Sequence, residues 1–178
     1  MVKCRLTMIR KLEGGPEVAD GQFVSLVSGA GPDGFRVANL ESVHVEELGE
    51  LMYAAYQGSV DYEGESLEET VREADHTLCG IYGDVIFDAS FIAWKGDEAA
   101  SVTVVTGYEK RFPLLAFSLT RPEYRNRGLA RHLISRSMES LVRRAIPQLY
   151  LVVTEENVGA LALYRKLGFE EVERFQQS

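Results

Sequence analysis

The chain has 178 residues, enough for about one domain with a real core. Its 46% hydrophobic and 26% charged residues are ordinary for a globular protein, and no apolar run reaches the roughly 18–20 residues of a membrane helix. A net charge of −8 argues against nonspecific nucleic-acid binding, and the alternating N-terminus lacks a secretory core, so the expectation is a cytoplasmic protein with neither a nucleic-acid nor a membrane partner.

Residues 2–9 put Val2, Cys4, Leu6 and Met8 on one side and Lys3, Arg5 and Thr7 on the other, the period of a strand. Gly14, Gly15, Pro16, Asp20 and Gly21 are turn residues, and 23–27 is a second short strand. Residues 29–34 match Gly-x-Gly-x-x-Gly, but Pro32 interrupts them and no strand–helix–strand unit surrounds them, so they read as a loop. A short strand follows at 35–38. Ser42 is a candidate cap for a helix whose apolar stripe is Val45, Leu48, Leu51, Met52 and Ala55. Ser66 and Glu69 have the spacing of a capping box, which starts a second helix running to about residue 75.

Residues 90–95, 101–108 and 114–120 form a meander of strands, with turns at 96–97 and 110–113. A helix over 129–144 carries its stripe on Leu129, Leu133, Ile134, Met138, Leu141 and Val142. A strand at 149–153, a helix at 158–167 stopped by Gly168, and a strand at 169–175 complete the chain. This order gives a layered α/β or α+β domain. Cys4 and Cys79 match no metal or redox spacing, and no Cys/His cluster suggests a metal.

Charge is distributed unevenly. Residues 41–75 are rich in Asp and Glu with Arg72 as the only Lys or Arg, whereas 121–144 hold seven arginines against Glu123 and Glu139. A basic half suits an anionic cofactor, and an acidic half suits a cationic acceptor such as an amine.

The chemistry concentrates where the strand ending at Thr120 meets the helix starting at Leu129. Arg125, Asn126, Arg127, Gly128, Leu129 and Ala130 form a tight basic loop there. A helix start offers backbone N–H groups without helical acceptors, and the macrodipole adds positive character. Gly128 allows close approach to the backbone, and the two arginines have forked donors suited to phosphate. The loop resembles the pyrophosphate motif of the GCN5-related N-acetyltransferase (GNAT) family, Arg/Gln-x-x-Gly-x-Gly/Ala. Asn157, Ala160, Leu163, Tyr164, Gly168 and Phe169 then resemble the family's second signature, in the expected order. The resemblance covers about residues 35–175. It implies a domain over 35–178 behind an N-terminal strand or hairpin extension over 1–34. It also implies a mixed, mostly antiparallel sheet flanked by helices. The strands before and after the long helix should splay apart to hold the cofactor.

The resemblance implies acetyl transfer from acetyl-CoA directly to an amine, with no metal and no covalent enzyme intermediate. Ser118, Leu119 and Thr120 match the strand edge that pairs with the pantetheine arm. Arg125 to Ala130 match the diphosphate loop. Asn157 is placed to bond the arm or to cap the last helix. Tyr164 matches the general acid for the leaving thiolate, and a phenol is protonated at neutral pH. The position where some members carry a Glu on the strand before Asn157 is Val152, so no general base is assigned; Glu155 and Glu156 follow in the loop and His44 lies near the first helix. The alternative function is a CoA-binding sensor on the same fold, without catalysis. A homodimer is a fair expectation. Family members also carry one more strand after the Gly-Phe strand, for which the residues after Phe175 leave no room. Residues 2–9 would supply it, from the same chain or from a dimer partner; an N-terminal hairpin packed elsewhere is the other reading.

Overall fold

The protein was analysed as a computed structural model, which describes residues 3–12, 29–108 and 112–177. The turns and strand expected over 14–27 and the first half of the turn at 110–113 lie outside these residues, and Phe112 and Pro113 belong to a strand.

The elements in chain order are β1 (Lys3–Lys11), β2 (Gly29–Ala30), β3 (Arg36–Asn39), α1 (Val45–Tyr56), α2 (Leu67–Leu78), β4 (Asp84–Val85), β5 (Phe91–Lys95), β6 (Glu98–Tyr108), β7 (Phe112–Thr120), α3 (Leu129–Arg143), β8 (Gln148–Thr154), α4 (Val158–Lys166) and β9 (Glu170–Gln177). The described strands form one sheet in the order β2-β3-β5-β6-β7-β8-β1-β9, with β4 also paired to β6. All neighbours are antiparallel except β7 and β8. The mixed, mostly antiparallel sheet with flanking helices is the expected fold class.

Strand alternation divides the core between the two faces. Ile92 and Trp94 of β5 pack with Leu48, Leu51 and Met52 of α1 and with Ala74 and Leu78 of α2. Phe91 and Ala93 point the other way, to Leu129 and Leu133 of α3. A third cluster joins Ile134 and Leu141 of α3 to Leu149, Leu151 and Val153 of β8, Leu6 and Met8 of β1, and Leu161 and Tyr164 of α4. The helical period of α3 lets one helix serve two clusters.

The N-terminal strand lies inside the sheet. β1 pairs with β8 from Arg5↔Thr154 to Lys11↔Gln148, and with β9 from Lys3↔Gln177 to Ile9↔Glu170. It therefore supplies the missing neighbour, in the same chain, and the N-terminal hairpin packed elsewhere is not what forms. Leu6 and Met8 are fully buried, which fixes the register, because a one-residue slip would turn both outward.

One local expectation is corrected. α1 begins at Val45 with His44 in the cap position and no side-chain capping bond, so Ser42 stands two residues too early and does not cap it. The Gly-rich segment at 29–34 forms a two-residue strand and a short 3-10 turn, with Asp33 and Gly34 at positive φ, as its reading as a loop requires. The capping box of α2 is present: Glu69 N–H donates to Ser66 Oγ (3.3 Å) and Ser66 N–H to Glu69 Oε2 (2.8 Å).

Candidate active site

β7 and β8 pair only at Leu114↔Tyr150 and Leu115↔Leu151. Beyond these pairs the strands part. The β7–β6 ladder shifts register between Val104 and Val105, leaving Ala116 as an extra residue in β7. A bulge bends its strand and increases the local twist, so Ala116 is the physical cause of the parting. From residue 116 onward β7 keeps β6 on one side and has an open edge on the other. Residues 152–154 of β8 keep β1 on their far side and likewise leave the edge toward β7 open.

A cleft of about 570 Å³ fills the opening. Ala116, Phe117, Ser118 and Leu119 line one wall, and Val152, Val153, Thr154, Asn157, Ala160 and Tyr164 line the other. α1, α2 and the segment between them close it with Met52, Tyr56, Asp61, Glu63, Glu65, Glu69, Thr70 and Glu73, and Arg5 reaches in from β1. Because β7 and β8 are parallel, the chain leaves both at the same end of the sheet. The N-termini of α3 and α4 therefore open at the mouth where the strands separate.

Tyr164 is 9% exposed and sits edge-on to Phe169, ring centroids 5.8 Å apart. Burial pushes its pKa up to about 12; a hydrogen bond with Ser118 pulls in the opposite direction, and the Asp61 charge adds a smaller upward push. The phenol thus stays a proton donor across the neutral range. Tyr56, half-buried in the same cleft, is also pushed up, first by burial and then by Asp61.

Asn157 caps α4: its Oδ1 accepts from Ala160 N–H (3.2 Å). Its Nδ2 donates to Asp61 Oδ2 at 3.4 Å, so of its two expected tasks the cap is the one built into the fold. The other oxygen of Asp61 accepts from Thr154 Oγ1 at 2.5 Å. These two bonds bring the segment after α1 onto the end of β8. Lys3 Nζ to Glu63 Oε1, at 3.0 Å, adds a tie from β1 to the same segment.

The basic loop lies past the end of β7 and does not line this cleft. Asn126 (φ 62°) and Gly128 (φ 78°) are both left-handed and bracket Arg127. This bends the backbone into a concave turn at the start of α3, a shape that directs successive N–H groups to one point. The first helical bond is from His132 N–H to Gly128 O (2.9 Å), and no side chain caps the helix. The N–H groups of Leu129, Ala130 and Arg131 thus precede the ladder without helical acceptors. A Cβ built on Gly128 would meet no atom within 4 Å, so open space lies in front of it. Leu129 itself is buried and anchors the helix in the core.

The two arginines of the loop differ. Arg125 Nη2 donates to Ala55 O (2.9 Å) and Nε to Thr120 O (3.2 Å), so this guanidinium ties the loop to the ends of α1 and β7. Arg127 is exposed, its guanidinium 5.8 Å from the Tyr124 ring centre. Thr120 directs its hydroxyl to Ser101 Oγ (2.8 Å).

Ser118, Leu119, Asn157 and Tyr164 therefore meet in one cleft, Thr120 lies just past its lining, and residues 125–130 form a separate concavity at the same end of the sheet. Glu155 pairs with Arg174 (3.0 Å) and, like Glu156, is absent from the cleft lining. His44 accepts from Glu41 N–H (3.0 Å) and packs on Trp94, away from the cleft. The residue missed in the sequence is Asp61. It was one acid among many, and only the fold brings it to Thr154 and Asn157. Cys4 and Cys79 are free thiols with pKa values pushed up, chiefly by Glu155 and Asp75 respectively. Among the described residues no group of three His, Cys, Asp or Glu is placed to hold a metal, and no helix is long and apolar enough to cross a membrane.

The model of the acetyltransferase (GNAT) family matches residues 50–169. The chain belongs to that family. An acetyltransferase of Pectobacterium atrosepticum is 34% identical over 71 residues, 40% of this chain and 50% of that relative. The chain spans about half the length of the curated relatives it matches. Among solved structures, a GCN5-related N-acetyltransferase from Sphaerobacter thermophilus superposes with a TM-score of 0.69 at 16% identity, over 98% of this chain and 50% of that one. A PaiA N-acetyltransferase from Thermoplasma acidophilum, solved with coenzyme A, gives a TM-score of 0.64 at 18% identity, over 76% of this chain and 89% of that one. This GNAT chain shares its fold with both.

Proposed function

We propose that this GNAT chain is an acetyl-CoA-dependent N-acetyltransferase that moves the acetyl group directly to the amine of a small cationic acceptor. The observation that carries the reading is the composition of the cleft. A buried, protonated phenol and Ser118 stand among the splayed strands, and five carboxylates against the single Arg5 line the same space.

The residues divide the work as follows. The Asn126–Gly128 turn and the free N–H groups of Leu129, Ala130 and Arg131 hold the diphosphate of acetyl-CoA, with Arg127 as the available guanidinium and Arg125 as the brace of the loop. The open β7 edge at Ser118, Leu119 and Thr120 pairs with the amide-rich arm and offers N–H donors to the developing oxyanion. The amine attacks the thioester carbonyl, the N–C bond forms and the C–S bond breaks. Tyr164 gives its proton to the leaving thiolate. Positioning two reactants in one cleft supplies much of the rate without a protein nucleophile. β1 completes the sheet, so residues 35–178 and this strand act as one catalytic unit.

Asp61, Glu63, Glu65, Glu69 and Glu73 favour a cation at the acceptor side. Lys3 offsets part of Glu63, and Ser66 holds Glu69, so the field is acidic without being saturated. The test is thiol release from acetyl-CoA against spermidine, lysine, kanamycin, glutamate and short peptides with free N-termini. Turnover with cationic amines above glutamate supports the reading. Binding of CoA by calorimetry with no turnover on any amine would replace the enzyme by a CoA sensor.

A further inference from the structure

The position expected to carry a strand base is Val152, which is 42% exposed and faces the cleft without a charge. The attacking amine needs another place for its proton. Four of the five cleft carboxylates are engaged away from the wall that carries Tyr164: Glu63 by Lys3 of β1, Glu65 by Glu63 N–H, Glu69 by Ser66, and Glu73 by the Tyr82 hydroxyl. Asp61 is held by the catalytic wall itself. Thr154 at the end of β8 donates to Oδ1 and Asn157 at the start of α4 donates to Oδ2. An ionised carboxylate has about four acceptor sites, so one donor on each oxygen leaves capacity on both.

We propose that Asp61 takes the proton that the acceptor amine sheds as its bond to the acetyl carbon forms. The inference rests on the acetyl-transfer reading above and adds the missing proton acceptor. The amine enters neutral and attacks. Its nitrogen becomes positively charged and, attached to the former carbonyl carbon, far more acidic than a free ammonium, so a carboxylate is basic enough to receive the proton. One proton passes from nitrogen to Asp61 and one from Tyr164 to the CoA thiolate. The products are the amide and free thiol, and Asp61 and the phenolate return to their starting states by exchange with water. The two donors fix the carboxylate at the point where the acidic acceptor side meets the wall that carries Tyr164.

Asp61→Asn keeps the shape and loses the base; Asp61→Ala leaves a hole the size of a small carboxylate. With acetyl-CoA saturating and the best acceptor among spermidine, lysine and kanamycin, kcat of Asp61→Asn should fall about 10²-fold. The Kd for CoA should stay within about twofold, as expected when only a proton-transfer group is lost. Added formate should restore rate to Asp61→Ala in proportion to its concentration and leave the wild type unchanged. Wild-type kcat in Asp61→Asn overturns the assignment. So does a loss in Asp61→Ala that comes with a lower Tm and no formate response, because Asp61 would then only pin its segment to β8. Absence of wild-type turnover on every amine and peptide of the panel instead removes the acetyl-transfer reading, and this inference with it.

Discussion

Tyr164 illustrates how one side chain serves two demands. Its ring fills the cluster under α4 while its hydroxyl reaches Ser118 in the cleft. Replacing it with Phe keeps the ring and removes the proton. Turnover should fall about 10²-fold or more with CoA affinity nearly unchanged. Because burial raises the phenol, it remains protonated past its ordinary value of about 10. Wild type and Tyr164→Phe should therefore show the same shape of kcat against pH from neutrality to that value, and differ only in height. An alkaline limb present in the wild type and absent in the variant would show that the phenol ionises in this range. Tyr164 was legible because its signature fixes it between Asn157 and Gly168. Asp61 was not, because its two partners lie more than ninety residues away and its neighbours in sequence are equally acidic. The bracing contact of Arg125 was hidden for a related reason: charge and position are visible in a sequence, but the carbonyl of Ala55 that takes its donor is not.

At the scale of elements, helix starts carry the argument twice. In α2 the Ser66–Glu69 box satisfies two N–H groups at once, and its hydrogen bonds, first from the Ser66 backbone, hold the Glu69 carboxyl below its ordinary range. A depressed carboxyl contributes stability above its unfolded value and loses it as the pH falls through the folded value. Ser66→Ala should cost about 1 kcal/mol, a fall in Tm of roughly 2–4 °C. It should also weaken, without removing, the dependence of Tm on pH in the carboxylate range, because the backbone donor at residue 66 remains. Thermal melts of both proteins across that range check both effects. In α3, as in α1, no side chain caps the N-terminus, and what supports the proposed diphosphate site there is the left-handed turn at Asn126 and Gly128 with open space before it. Gly128→Glu places a charge in the open space before it, at a φ of 78° that a side chain tolerates poorly. CoA affinity by calorimetry should fall at least about 10²-fold, on the order of 3 kcal/mol. A folded variant with wild-type affinity would remove the loop from the site.

For the whole molecule, most elements followed from periodicity and turn residues, because each hydrophobic stripe had one face to bury. Strand order was less accessible. β4 is two residues long, and no local pattern tells β1 which strands to join. Its alternation shows only that Leu6 and Met8 go inward; the gap they fill is made by β8 and β9, which come from the far end of the chain. This geometry implies that connectivity across the gap is exchangeable. Lys3 pairs with Gln177 and the two strands run antiparallel, which is the arrangement of a hairpin that lacks only its loop. Joining residue 178 to residue 1 through a short Gly-containing linker, and opening the chain between Leu12 and Gly29, would give a β9–β1 hairpin and keep every described strand contact. The permuted protein should bind CoA with an affinity within about twofold of the parent and melt within a few degrees, since closing a short loop changes stability by only about 1 kcal/mol. Deleting residues 1–12 should instead uncover one edge of each of β8 and β9 together with the apolar residues under Leu6 and Met8, and abolish cooperative unfolding. If the deletion melted cooperatively near the parental temperature, β1 would be an accessory to the sheet. If the permutant alone failed to fold, the order of the chain, rather than the set of contacts, would be what the fold requires.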